Sequence, residues 1–174
     1  MEPPNSIDES ADLFRIVARA TGASYPAVPD GLDAGSVLAQ EMFKNRQFIE
    51  LLNAFRLSGG LARAAEVAAR FQMHGVHEAS PLAGWINNRE VVSFEWQSRL
   101  WLPLFQFNPV GLTLRTGLRG VLAELRGVYD DWELATWFAQ ANPWLADRTP
   151  ADMLAVAAPQ VLNAARAERF IEFG

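Results

Sequence analysis

The 174-residue chain contains no cysteine. That excludes a disulfide framework, a thiolate metal centre and a cysteine nucleophile. Histidine is almost as scarce: only His74 and His77 occur, with Glu78 beside them. Two imidazoles and one carboxylate fall short of a closed metal site, and Gly75 between them interrupts helical spacing, so no metal is expected. No apolar run approaches the roughly 20 residues of a membrane span, and no membrane partner is expected. The opening Met1-Glu2-Pro3-Pro4 lacks the character of a signal peptide, which points to a cytoplasmic protein. Nucleophile elbows, phosphate-cradling loops and dinucleotide fingerprints are also missing. The Gly59-Gly60 pair reads as a helix break and Asp130-Asp131 as helix capping. The expectation is a protein that is not an enzyme and needs no cofactor.

What is present is a globular composition. Half the residues are apolar and a fifth are charged, enough for a buried core in one domain-sized chain. The net charge of −5 argues against bulk attraction to nucleic acid or anionic lipid. Acidity is concentrated in residues 1–43 and, more weakly, in 100–174. Residues 44–99 carry seven basic side chains against five acidic ones, so the middle faces something different from its flanks.

Periodicity divides the chain into three segments. Residues 1–36 read as a helix from Asp8 or Ser10 to Gly22, then a linker rich in proline and glycine. Residues 37–99 read as helices over 37–57, 61–71 and from Pro81, the last capped by Ser80, followed by the start of a β-hairpin. Val92, Phe94 and Trp96 alternate with polar residues, and 100–107 answers after a short turn. Pro103 marks this second strand as an edge or a bulge. Residues 100–174 read as mostly helical: one helix from 112 to 125, one opened by Asp130 with Glu133, a short one after Thr149-Pro150, and a last one from Pro159 to Phe173. The fold class is therefore mainly α, a helical bundle with one small β-hairpin and a winged-helix-like middle.

Two surfaces attract attention. The order helix, helix, hairpin over 61–99 resembles a winged helix-turn-helix, in which the second helix enters the major groove. His77, Ser80, Asn87, Asn88 and Arg89 are then the DNA-facing residues, since Asn and Arg can read adenine and guanine edges. The competing reading is a DNA-binding-like fold that serves only as scaffold. Protein association is the other theme. Arg115, Arg119 and Arg126 border an apolar arc, and pair either with Asp130, Asp131 or Glu133 or with an acidic partner. The last helix is apolar in several directions (Val161, Leu162, Phe170, Ile171), as expected of one covered by its own core or by another chain.

A set of motifs then falls in a familiar order. Leu102-Pro103-Leu104-Phe105-Gln106-Phe107-Asn108-Pro109, Val121 to Leu125, Trp132 to Phe138, Asn142-Pro143-Trp144-Leu145 with Thr149 to Leu154, and Val161 to Arg166 together resemble the toxin-binding domain of Xre/MbcA/ParS-type antitoxins. The likeness covers roughly residues 100–172. Asp147 stands where that family has glycine, and the N-terminal half shows no clean Xre-type helix-turn-helix. The resemblance implies a dimeric, non-enzymatic protein bound to a RES-domain toxin, an enzyme that degrades or transfers from NAD. It implies that the C-terminal end covers the toxin's active-site entrance, with Arg166, Arg169, Phe170, Glu172 and Phe173 facing the toxin. Such antitoxins often regulate their own operons. A DNA-binding transcriptional regulator without a toxin is the alternative.

Overall fold

The computed structural model describes residues 34–73 and 81–174. The expected first helix, most of the expected linker, and His74, His77, Glu78 and Ser80 lie outside the described residues. Two compact units are defined, Met1–Phe48 and Ile49–Gly174. Within the described residues the first unit is wholly helical and belongs to α1 (Ala34–Ala54), which starts inside the stretch expected as linker. A tighter 3-10 turn, Phe55–Ser58, follows α1.

In the second unit come β1 (Leu61–Arg63), α2 (Ala64–Met73), α3 (Pro81–Asn87), β2 (Phe94–Trp96), β3 (Arg99–Pro103), α4 (Leu118–Leu125), α5 (Asp131–Ala139) and α6 (Pro150–Phe173). The protein is mainly helical with a small antiparallel sheet, as its periodicity predicts. Three details differ. Leu61–Arg63, expected as the first turn of a helix, is a strand. Gly59 and Gly60 take φ of 108° and 83°, which turns the chain so that Leu61, Ala62 and Arg63 meet Pro103, Leu102 and Trp101. A Cβ on Gly59 would stand 3.1 Å from the Leu104 Cβ, so the reversal is also sterically tight.

The strand order is β1-β3-β2. β3 is therefore central, not the edge that Pro103 suggests. The Leu104 N–H bonds to the Gly60 carbonyl at 2.9 Å on the β1 side. Alternation turns the donor position of residue 103 toward β2, and β2 begins only at Phe94, opposite Trp101. Proline thus sits where no neighbouring strand needs its missing donor. The β2–β3 hairpin turns on Gln97 and Ser98, both with positive φ, the two-residue geometry that suits strand twist.

The third difference is α4, which starts at Leu118 rather than 112. Positive φ at Gly111, Leu112 and Gly117 keeps this stretch out of helix. Leu114 instead bridges Phe107, and the Arg115 N–H reaches the Gln106 carbonyl at 2.9 Å. The two expected C-terminal helices join in α6 across a break at Ala157, where φ is −148° and ψ is 52°, two residues before Pro159.

One core cluster joins Ala62, Val67, Phe71, Leu82, Val91 and Leu102 around the sheet and α2. A second layer is the packing of α4 on α6. Its inward residues, Leu118, Val121, Leu122 and Leu125 on α4 and Val161, Ala164 and Ala165 on α6, are all buried. Phe105 links the regions, with ring centroids 5.5 Å from Phe55 and 4.9 Å from Phe138. Each fully buried ring of this kind contributes about 1.5–3 kcal/mol from area alone.

Candidate protein-docking site

Local chemistry places α6 securely. The Thr149 hydroxyl accepts from the Asp152 N–H at 3.2 Å, and Pro150 occupies the first turn, where a missing donor is harmless. Upstream, Asp130 and Glu133 close a full capping box on α5: Glu133 N–H to Asp130 at 2.8 Å, and Asp130 N–H to Glu133 at 2.9 Å. Between these helices, Ala146 and Asp147 adopt φ of 54° and 59°. This is the left-handed region that glycine favours and that aspartate tolerates better than most residues.

The far end of α6 is open. Phe170, Ile171 and Phe173 are 76%, 68% and 67% exposed, unusual for three large apolar side chains within one helical turn. Beside them Arg166 and Arg169 both bind Glu124 of α4. Arg166 Nε donates to Oε1 at 3.1 Å and Arg169 Nη1 to Oε2 at 2.7 Å. These two hydrogen bonds, chiefly the one from Arg166, hold the Glu124 carboxyl below its ordinary value of 4.5, and burial only partly opposes them. Glu124, Arg166, Arg169, Phe170 and Phe173 line an open groove of about 510 Å³.

Four of the five residues expected to face a partner therefore share one groove. Glu172 does not line it. It belongs with Glu168 on the side of α6 that meets Tyr129, whose hydroxyl donates to Glu168 at 3.2 Å. Burial, with the Glu168 charge next, pushes the Tyr129 phenol up to about 12. Glu124 is the groove residue that sequence reading passed over. Its one signal is that two arginines three residues apart share a helix face and can reach a single carboxylate.

The other expected surface is exposed, but its side chains and backbone are tied to neighbouring parts of the fold. Arg89 pairs with Asp131 at 2.7 Å, Asn88 leans on Glu90 at 3.4 Å, and Arg126 donates to both the Asn88 and Arg89 carbonyls at 2.8 Å. Asn87 closes α3 and is exposed. The three arginines expected to pair with Asp130, Asp131 or Glu133 go elsewhere: Arg115 to the Phe105 carbonyl at 2.6 Å, Arg119 to Glu90 at 2.7 Å, and Arg126 to the two carbonyls just named. For Arg119 and Arg126 the physical reason is the 87–90 turn, which lies against α4 and offers nearer acceptors; Arg115 precedes α4 and meets the Phe105 carbonyl instead.

Among the described residues, no group of three or more His, Asp or Glu is placed to hold a metal. None of the described helices is long and apolar enough to cross a membrane. Comparison of the chain with protein-family models, with curated proteins and with solved structures found no match.

Proposed function

We propose that this chain is an antitoxin-like, non-enzymatic protein that acts in the cytoplasm as a homodimer and neutralises a RES-domain toxin by docking the end of α6 onto it. One observation carries this reading. A well-anchored helix ends in exposed Phe170, Ile171 and Phe173 beside Arg166 and Arg169, the mixture of aromatic and guanidinium groups that dominates binding energy at protein interfaces. The left-handed φ of Asp147, at the position where the resembled family carries glycine, agrees with it.

Deleting residues 169–174 tests the reading. The complex with a co-expressed RES-domain protein should be lost, while thermal unfolding of the free chain stays nearly unchanged. An undiminished complex after that truncation removes the proposal.

A second reading is a transcriptional regulator using residues 61–99. Its support is connectivity: β1, α2, α3, β2 and β3 form two helices flanked by a three-stranded sheet whose hairpin can serve as a wing. A gel shift on the upstream region of its own operon, with Asn87→Ala and Arg89→Ala as probes, decides it. No shift at low salt eliminates DNA binding.

A further inference from the structure

We infer that Glu124 is a positioning residue for the docking end of α6, acting through Arg166 and Arg169. The inference rests on the docking role proposed above and adds to it a residue outside the docking helix. The geometry is unusual for a surface ion pair. One carboxylate uses both oxygens, at 3.1 and 2.7 Å, on two guanidinium groups from successive turns of another helix. Glu124 itself is only 19% exposed in its side chain, whereas the arginines are 57% and 58% exposed. The fixed member of the cluster is thus the acid on α4, whose neighbours Val121, Leu122 and Leu125 are buried. The movable members are the long side chains on α6.

Such a cluster does little for folding, because exposed pairs are screened by solvent and lose side-chain entropy on forming. What it does provide is order. Two arginine side chains with several rotatable bonds each are confined to one pose, and that confinement is completed before a partner arrives. The same fork bridges the turn that carries Phe170, so the rings beside it are presented from a helix end held against α4. Gly127 on the α4–α5 connection lies under the Phe173 ring, a Cβ there standing 3.8 Å from its Cζ. A helix terminus that would otherwise fray is therefore tied down from both directions.

The test uses the full chain and Glu124→Gln, which keeps the shape and one acceptor but removes the charge. Amide hydrogen exchange of the free protein should rise several-fold over residues 166–173 and stay unchanged in α4 and α5, with the unfolding temperature nearly constant. Affinity for a co-expressed RES-domain protein should fall about tenfold. In an Arg166→Gln, Arg169→Gln background, Glu124→Gln should add nothing further to the exchange, since coupled residues are non-additive. Unchanged exchange in the single variant overturns the inference. So does an extra effect in the arginine-free background, which would place the action of Glu124 elsewhere. If Glu124→Gln binds normally while the 169–174 truncation does not, the positioning role falls and docking stands. If the truncation also binds normally, docking itself falls.

Discussion

Gln106 replaces a missing rung of sheet with its side chain, by taking both backbone polar groups of Val92. The Val92 N–H donates to Oε1 at 2.8 Å, and Nε2 donates to the Val92 carbonyl at 2.9 Å and to the Pro103 carbonyl at 2.8 Å. Both residues are fully buried. β2 begins only at Phe94, so Val92 lies beyond the ladder and without this amide its buried backbone polar groups would lack partners.

Gln106→Ala should therefore destabilise the protein by about 3 kcal/mol or more, because three buried backbone groups, the Val92 N–H and the Val92 and Pro103 carbonyls, lose partners at roughly 1–3 kcal/mol each. Gln106→Glu should be worse, since a carboxylate cannot donate to either carbonyl. Chemical denaturation of the purified variants measures both, and a loss below about 1 kcal/mol for the alanine variant would show that water replaces the amide freely.

Gly117 caps the start of α4 with φ of 89°, and a Cβ there would lie 2.7 Å from the Cβ of Ala158. Gly117→Ala meets both backbone strain and a clash with the α6 kink, a combined loss of about 1–3 kcal/mol. Gly120, three residues on, is the control. Its nearest neighbour would be Leu162 Cδ1 at 3.7 Å, so Gly120→Ala should be neutral or slightly stabilising through helix propensity. Urea midpoints of the pair separate the two effects.

Tyr129 retains its proton well above the ordinary phenol value of 10.0, up to about 12. An unfolded tyrosine ionises near 10 while the folded one does not, so the stabilisation is complete below pH 10 and is lost as pH rises from there towards 12. The ultraviolet difference titration between the parent chain and Tyr129→Phe should show a single phenol with its midpoint near 12. A midpoint at the ordinary value would mean that Tyr129 is neither buried nor in contact with Glu168 in solution.

Phe170 and Phe173 separate stability from the proposed docking role. Both are more than two-thirds exposed, and Phe170→Ala with Phe173→Ala should alter stability by no more than about 0.5 kcal/mol per site. Phe138, fully buried against Phe105 and Trp137, should lose about 3–5 kcal/mol on the same truncation. Thermal unfolding of the three variants checks the contrast; a large loss at Phe170 would place that ring in the core rather than at an interface.

Features set by close neighbours were legible in the residues alone. The α5 capping box needs only Asp130 and Glu133, and the α6 start only Thr149, Pro150 and Asp152. The amphipathic arc of α4 likewise reads directly as Leu118, Val121, Leu122 and Leu125, and the hairpin as alternation ending in a turn. The exposed apolar end of α6 was legible in part, because apolar side chains pointing several ways around one helix cannot all face a single core.

By itself, then, the order of residues determined the mainly helical class, the caps and the apolar terminal helix, since these depend on contacts within about one helical turn or one hairpin. Tertiary structure alone decided that Leu61 extends a sheet through Leu102, that β3 lies in its middle, that Gln106 completes it, and that Glu124 gathers arginines 42 and 45 residues away. The reason is physical. A local pattern states which groups need partners, but which distant group satisfies them is settled only when the packed helices bring the candidates within hydrogen-bonding reach.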